Sequence, residues 1–450
     1  MPLPNAALLG IMCLRASRVL ADVPRGVGKA MSVSWSYSGP VWRGSRRDFL
    51  WASGAALWSG YETLQALGSF GSRSASPRCI QIHLVGGPSS HETFDPKPNA
   101  PPEVRGPYGV VRTRLPGVYF SELLPLLAAR AHRLTVVRGM AHAEPPVHEI
   151  GFQLLQTGGL SVHGHQRPHL GVYVCRRWRS ARGLPSWVIL PDCLGDTGAP
   201  LSSGQAPGNW TADAAPFCAG DGPADSTWSK IRRDCPVGIG HLDAQPVGQT
   251  ADQEETAPCG APRLQIEETA ALRYALDWRR EPDRVRERYG HEPFGRRCLI
   301  ARRLVEAGVP LVTVNMFTGL YNRITWDCHA NGAGLNSSLA DYAKTLCPTL
   351  DRALAALVDD VWDRGLAGDV LVVVSGEIGR TPWVNRRGGR DHWTRCFSAV
   401  MFGGPAPAGA VIGRSDRLGA EPLDQSLSPV DLFAVQCRFL DVTPEEGSMP

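Results

Sequence analysis

Short apolar runs and stretches of helical rhythm alternate along most of this chain. Cys79-Ile-Gln-Ile-His-Leu-Val85 alternates and then turns wholly apolar, as a buried strand does. Residues 134–137, 187–190, 309–316, 370–374, 397–402 and 410–412 repeat the pattern, each bounded by turn-forming residues. Helical spacing fills the intervals at 122–132, 149–156, 266–278, 297–307, 339–364 and 429–439. The second of these closes on Thr157-Gly158-Gly159, a helix-ending signal. Strands and helices alternating over this length predict an α/β sheet sandwiched between helices.

Two regions break the rhythm. Residues 200–262 are rich in Gly, Pro, Ala, Asp and Ser and read as a long excursion over one face, in part without fixed structure. Near the start, Ser45-Arg46-Arg47-Asp48-Phe49-Leu50 precedes an uncharged run that lasts until Glu62. Paired arginines followed by Phe-Leu and a modest apolar run resemble a twin-arginine export signal. That run is too short and too rich in Gly, Ala and Ser for a stable membrane span. The expected organisation is therefore an N-terminal extension over 1–77 carrying the signal, then one domain over 78–442 with the excursion at 200–262. Export implies the twin-arginine translocation machinery as a partner and the periplasm or cell envelope as destination. Met31 is an alternative start, and Ser74-Ala-Ser76 a candidate cleavage site, though the following Pro77 disfavours it.

Composition narrows the class. With 43% hydrophobic and 20% charged residues in 450, the chain reads as an ordinary globular protein with length for a large core. A net charge of +4 is small for this size and gives no argument for nucleic acid. The arginines of 279–288 are interleaved with Glu281, Asp283 and Glu287, so they read as a solvated helix face. Twelve cysteines include no Cys-x-x-Cys pair. Cys193, Cys218, Cys235 and Cys259 fall in one loop-rich stretch, where an oxidising compartment would allow pairing.

Candidate chemistry gathers in the last third. Asp327 and His329 follow the run at 309–316, Glu377 directly follows that at 370–374, and Asp391-His392 comes shortly after. Open α/β sheets place their sites beyond the carboxyl ends of strands, and carboxylate plus neutral imidazole are the usual ligands of divalent metals. Three such clusters behind successive strands point to one shared polar site. Arg380 has two readings: a clamp for an anionic substrate, or a partner of Glu377 that orders the loop. Glu92 is balanced between metal ligand and solvated loop residue, whereas Asp95, before Pro96, reads as a turn former. His163, His165 and His169 read as surface features, and Asp351 as a capping or paired residue on the long helix.

Five motifs carry a family resemblance: Gly86-Gly-Pro-Ser…Thr93-Phe-Asp-Pro-Lys-Pro98, Tyr289-Gly…Ala301-Arg-Arg-Leu-Val-Glu-Ala-Gly308, Trp326-Asp-Cys-His329, Gly376-Glu-Ile-Gly-Arg-Thr-Pro382 and Gly389-Arg-Asp-His-Trp393. Together they resemble the exported bacterial family called "domain of unknown function fifteen-oh-one", grouped with the sulfatase and alkaline phosphatase superfamily. The resemblance implies a large, mostly parallel central sheet with helices on both faces. It also implies one or two divalent ions at the carboxyl edge (zinc, calcium, magnesium or manganese) and hydrolysis of phosphate or sulfate esters. Carried over, it makes Asp327, His329, Glu377 and His392 ligands, Asp391 a ligand or the orienter of one, and Glu92 or Asp95 a replacement carboxylate.

Two departures from the superfamily pattern matter. Gly86 and Gly87 stand where such members carry aspartates after the first strand. His148 stands nine residues before Thr157, where sulfatases place a cysteine that becomes an aldehyde hydrate. A histidine there has three roles open to it: metal ligand, general base or phosphohistidine nucleophile. It also fits an activity that has been lost. The expected function is thus an exported metal-dependent hydrolase of a small anionic ester or of a sulfated or phosphorylated polymer, with His148 and Arg380 as catalytic residues. The alternative is a non-catalytic envelope binding or structural protein on the same fold.

Overall fold

In the computed structural model, residues 76–161, 167–178, 183–195, 205, 214–221, 269–424 and 427–444 are described. The arginine pair, His163, His165, Cys235, Cys259 and most of the 200–262 excursion lie outside them. In chain order the strands are β1 (Arg78–His83), β2 (Val110–Arg112), β3 (Tyr119–Ser121), β4 (Thr135–Met140), β5 (Trp187–Leu190) and β6 (Phe217–Cys218). They continue as β7 (Leu311–Asn315), β8 (Val370–Ser375), β9 (Gly379–Arg380), β10 (His392–Trp393), β11 (Phe397–Gly403) and β12 (Ala410–Ile412). The longer helices are α1 (His148–Thr157), α2 (Leu170–Arg177), α3 (Pro293–Ala307), α4 (Cys347–Asp363) and α5 (Pro429–Phe439).

Eight strands form one sheet in the order β12-β4-β11-β8-β1-β7-β5-β6. Every neighbouring pair is parallel except those made by β11, which runs against both β8 and β4. The mostly parallel α/β sheet expected from the chain is therefore present. Period-two alternation sorts side chains onto two covered faces. Ile80, Ile82, Val312, Val314, Val372 and Val374 join one apolar cluster with Leu304 of α3 and Leu350, Leu354 and Leu357 of α4. Cys79, Leu311, Leu371 and Val373 join the other with Leu155 of α1 and Leu432 of α5. Burial on both faces explains why these strands read as continuous apolar runs.

Two helical expectations are corrected. The helix expected over 122–132 shrinks to Pro125–Ala128 and a 3-10 turn at Ala131–Arg133. Residues up to Ser121 belong to β3, and Leu124 stays outside helical geometry before Pro125. The short helix is capped across space instead, because Asp351 of α4 accepts from Leu126 N at 2.9 Å and Leu127 N at 2.7 Å. The stretch expected as one helix over 339–364 begins at Leu339–Asp341, widens into a π-helical segment over Tyr342–Leu346, and continues as α4. Pro348 has no N–H to give the preceding turn, and a π segment absorbs such a defect. His169, expected at the surface, is buried: it caps Gly171 N at 2.8 Å and stacks on Trp187 at 4.3 Å.

Candidate metal centre

β1, β7 and β8 lie side by side and parallel, so the chain leaves all three at one edge. β1 leads into Gly86 and Gly87, β7 toward Asp327 and His329, and β8 directly into Glu377. β9 and β10 pair as an antiparallel ladder that sets His392 opposite Arg380. α1 starts at His148. Residues scattered from 148 to 392 thus meet at one place.

Asp327 is the hub. Its Oδ1 lies 2.6 Å from Arg380 Nη2, 3.1 Å from His329 Nε2 and 3.3 Å from His392 Nε2. Its Oδ2 lies 3.4 Å from His148 Nε2. Behind His148, Nδ1 meets Glu377 Oε1 at 2.5 Å, and the same oxygen accepts from Gly86 N at 2.9 Å. His392 Nδ1 donates to Pro146 O at 2.8 Å, leaving Nε2 to face Asp327. His329 Nδ1 lies 2.9 Å from Asp391 Oδ1. The rings of His148 and His329 stand 4.4 and 4.5 Å from that of His392.

The donor set carries a mark of its own. His148 Nε2, Asp327 Oδ2 and Glu377 Oε2 are buried and, beyond the 3.4 Å approach of the first two to each other, have no hydrogen-bond partner. A buried polar atom left without a partner costs about 1–3 kcal/mol, so three in one place call for a ligand that satisfies them. Ligand atoms of His148, Asp327 and His392 all lie within 4.8 Å of one another, close enough to share one ion. His148 and His392 each have the far nitrogen anchored, one on a carboxylate and one on a carbonyl, which fixes the ring orientation as metal-binding histidines require.

Electrostatics agree with a cation between these groups. Burial would push the His148 ring down, but the Asp327 and Glu377 carboxylates beside it outweigh that and raise it to about 9. A positive charge is therefore favoured at this spot. Burial would push Asp327 up, yet Arg380 and the three imidazoles hold it well below the usual carboxylate range. His392 is lowered to about 4, chiefly by burial, so its ring is neutral and able to ligate at neutral pH.

The expected site residues therefore divide. Asp327, His329 and His392 converge as anticipated, and His148 joins them as a third imidazole. Glu377 stands behind His148, with Oε1 spent on holding that ring and Gly86. Arg380 is buried, and its guanidinium faces protein acceptors: Asp327, Gly86 O, and Gly87 O at 2.9 Å. It orders the loops, as one of its two readings had it, but its carboxylate partner is Asp327 rather than Glu377. Asp391 orients His329 from a half-exposed position. Glu92 is corrected as a ligand, because both its oxygens are held by Arg390 at 2.9 and 2.6 Å. That pair is fully buried, and removing either partner would strand a charge at a cost of about 3–5 kcal/mol. Asp95 is likewise structural, paired with Lys97 at 3.0 Å and Arg138 at 3.3 Å.

Gly86 explains the absent first-strand aspartate. It holds φ +106°, and a Cβ there would lie 2.5 Å from Asp327 N. The loop that carries Asp327 occupies the space a side chain would need, and so the carboxylate arrives from β7's side of the sheet instead. Arg390, the Pro146 carbonyl and the Gly86 amide were not singled out from the sequence. Arg390 and Gly86 carried a signal, each lying inside one of the five motifs, whereas Pro146 carried none.

Comparisons with known proteins bear on the whole chain. A family model described as "Protein of unknown function (DUF1501)" matches residues 76–449. A comparison with curated protein sequences found no match. Among solved structures the chain is similar to the PsFucS1 sulfatase from Pseudoalteromonas sp., at 12% identity and a TM-score of 0.39 over 87% of this chain and 72% of that one. It is similar to a TAB5 alkaline phosphatase mutant with Mg bound, at 10% identity and 0.37 over 82% and 99%. It is also similar to the lipoteichoic acid synthase LtaP from Listeria monocytogenes, at 8% and 0.35 over 82% and 72%. These likenesses are faint, and the chemistry of the site rests on its own geometry.

Proposed function

The chain belongs to the family described as protein of unknown function (DUF1501), and we propose that within it this protein is a metal-dependent hydrolase of phosphate or sulfate esters. One observation carries the reading: His148 Nε2 and Asp327 Oδ2, both buried and unpartnered beyond their approach to each other, lie within reach of one ion together with His392 at the carboxyl edge of a parallel sheet. These three residues would hold the ion, which would supply Lewis acidity and lower the pKa of water there. His329, anchored by Asp391, sits beside them as a ring able to carry a proton to or from a leaving oxygen.

His148 acts as a ligand in this scheme, because Glu377 fixes one nitrogen and the other faces Asp327. An imidazole cannot reproduce the aldehyde-hydrate oxygen of sulfatases, so phosphate esters are the favoured class and turnover is slow. The test is elemental analysis of the purified protein, followed by assay of aryl phosphate and aryl sulfate with zinc, manganese, magnesium or calcium. About one ion per chain lost on going from the wild type to His392→Ala, with phosphate turnover that falls at least about tenfold in that variant, is expected. Metal content without turnover of either ester supports the non-catalytic binding reading, and a protein that takes up no ion overturns the proposal.

Export is part of the same reading and rests on Arg46-Arg47-Asp-Phe-Leu50. Replacing both arginines by lysine is expected to leave the protein in the cytoplasm. Delivery of that variant to the envelope at the wild-type level would remove the basis for it. Among the described residues no helix is long and apolar enough to cross a membrane.

A further inference from the structure

Away from the histidine cluster, two thiols approach each other on the same carboxyl rim, at the β6 edge of the sheet. Cys193 follows β5, Cys218 ends β6, and their sulfurs lie 3.6 Å apart. A carboxylate oxygen of Asp192 lies within 4.8 Å of both. From this geometry we propose that Asp192, Cys193 and Cys218 form a second metal site, which takes one thiophilic divalent ion of the zinc class.

Distance separates this reading from a cross-link. A disulfide needs sulfurs about 2.05 Å apart. Two thiolates bound to one tetrahedral zinc at about 2.3 Å each stand about 3.8 Å apart, close to the spacing seen here. Ligand chemistry agrees, since paired thiolates select soft or borderline ions over calcium and magnesium, and a carboxylate is a common third zinc ligand.

The spacing is built into the backbone. Ile189 and Cys218 are register partners, Ala219 N bonds Ile189 O at 3.0 Å, and Gly220 N bonds Pro191 O at 2.8 Å. Asp192 Oδ1 accepts from Cys193 N at 2.8 Å, and its own carbonyl accepts from Asn315 at 2.8 Å at the end of β7. Gln205 fixes the next residue through Leu194 N at 2.7 Å and bonds Asn315 at 2.9 Å, while its carbonyl lies 3.7 Å from Cys193 Sγ. All three ligand residues are partly open to solvent, which provides a route of entry for the ion. Bound there, the ion fastens the two-residue edge strand β6 to β5, a tie that two backbone-paired residues alone supply weakly.

The test uses the full-length chain, reduced, stripped with a chelator, desalted and titrated with cadmium or cobalt. A sulfur-to-metal charge-transfer band that saturates at one ion per chain is expected. It should vanish in Cys193→Ser and in Cys218→Ser and persist unchanged in His392→Ala, so its fate is independent of the hydrolase reading. A wild-type titration without the band overturns the proposal, as does a band that survives both serine variants. Should the variants fail to fold, alkylation of the unsubstituted chain decides. Zinc at ten times its dissociation constant should slow modification of Cys193 and Cys218 about tenfold, read peptide by peptide in the mass spectrometer. Equal rates with and without zinc, or a Cys193–Cys218 disulfide that zinc does not prevent, would refute it.

Discussion

Glu377 shows how one side chain sets the character of its neighbour. Its Oε1 holds His148 Nδ1 and Gly86 N together, so the imidazole is aimed and made more basic at once. Glu377→Gln keeps the shape and removes the charge, and should weaken ion binding about 10–100-fold in competition against a chromophoric chelator. Unchanged affinity would mean that His148 needs no carboxylate behind it. At this scale the sequence is a fair guide to ligands and a poor one to their supports. Asp327, His329 and His392 stood out because carboxylates and imidazoles beyond apolar runs are chemically conspicuous. The Glu92–Arg390 pair joins positions 298 apart, and no local pattern announces such a partnership. A buried glutamate with an arginine and one with a metal ion look the same in one dimension.

Elements were legible in proportion to their length. Six of the strands in the main sheet announce themselves as apolar runs because burial on both faces demands it, and the short, partly exposed edge strand β12 does so by composition alone. The ladders β2–β3 and β9–β10 do not, since strands of two or three residues have no period to detect. α2 was hidden for another reason: its Val172-Tyr-Val-Cys175 run has a composition that favours strands. Asp351 links two elements, capping the Pro125–Ala128 helix from α4, and it gives a pH test of that contact. Burial pushes its carboxyl up from 3.8 to about 6, against the Leu126 and Leu127 amides that favour ionisation. A carboxyl raised in the folded state contributes stability that is whole below the unfolded value and is lost as pH rises through the folded one. The wild type should therefore lose about 2 kcal/mol relative to Asp351→Asn between about pH 4 and pH 6.5. Denaturant titrations across that range would measure it. A constant difference would show that Asp351 is ionised throughout, with its charge satisfied by the two amides.

At the scale of the molecule, the histidine centre ties α1 to segments that follow β7 and β8. An ion that binds only the folded chain stabilises it by about 2.7 kcal/mol at a hundredfold excess over its dissociation constant. In a Cys193→Ser background, where only this centre is read, a chelator should lower the melting temperature by several degrees. Adding His392→Ala should abolish the chelator's effect. Equal chelator shifts with and without that substitution would exclude His392 as a ligand. The reversed strand β11 has a wider consequence. Because it returns against β8, everything between the two leaves the sheet and re-enters it at the same edge, carrying Glu377, Arg380, Arg390, Asp391 and His392. That stretch is a cassette with both ends pinned to one rim. A change of length within it would shift those side chains while the sheet beneath keeps its strand order.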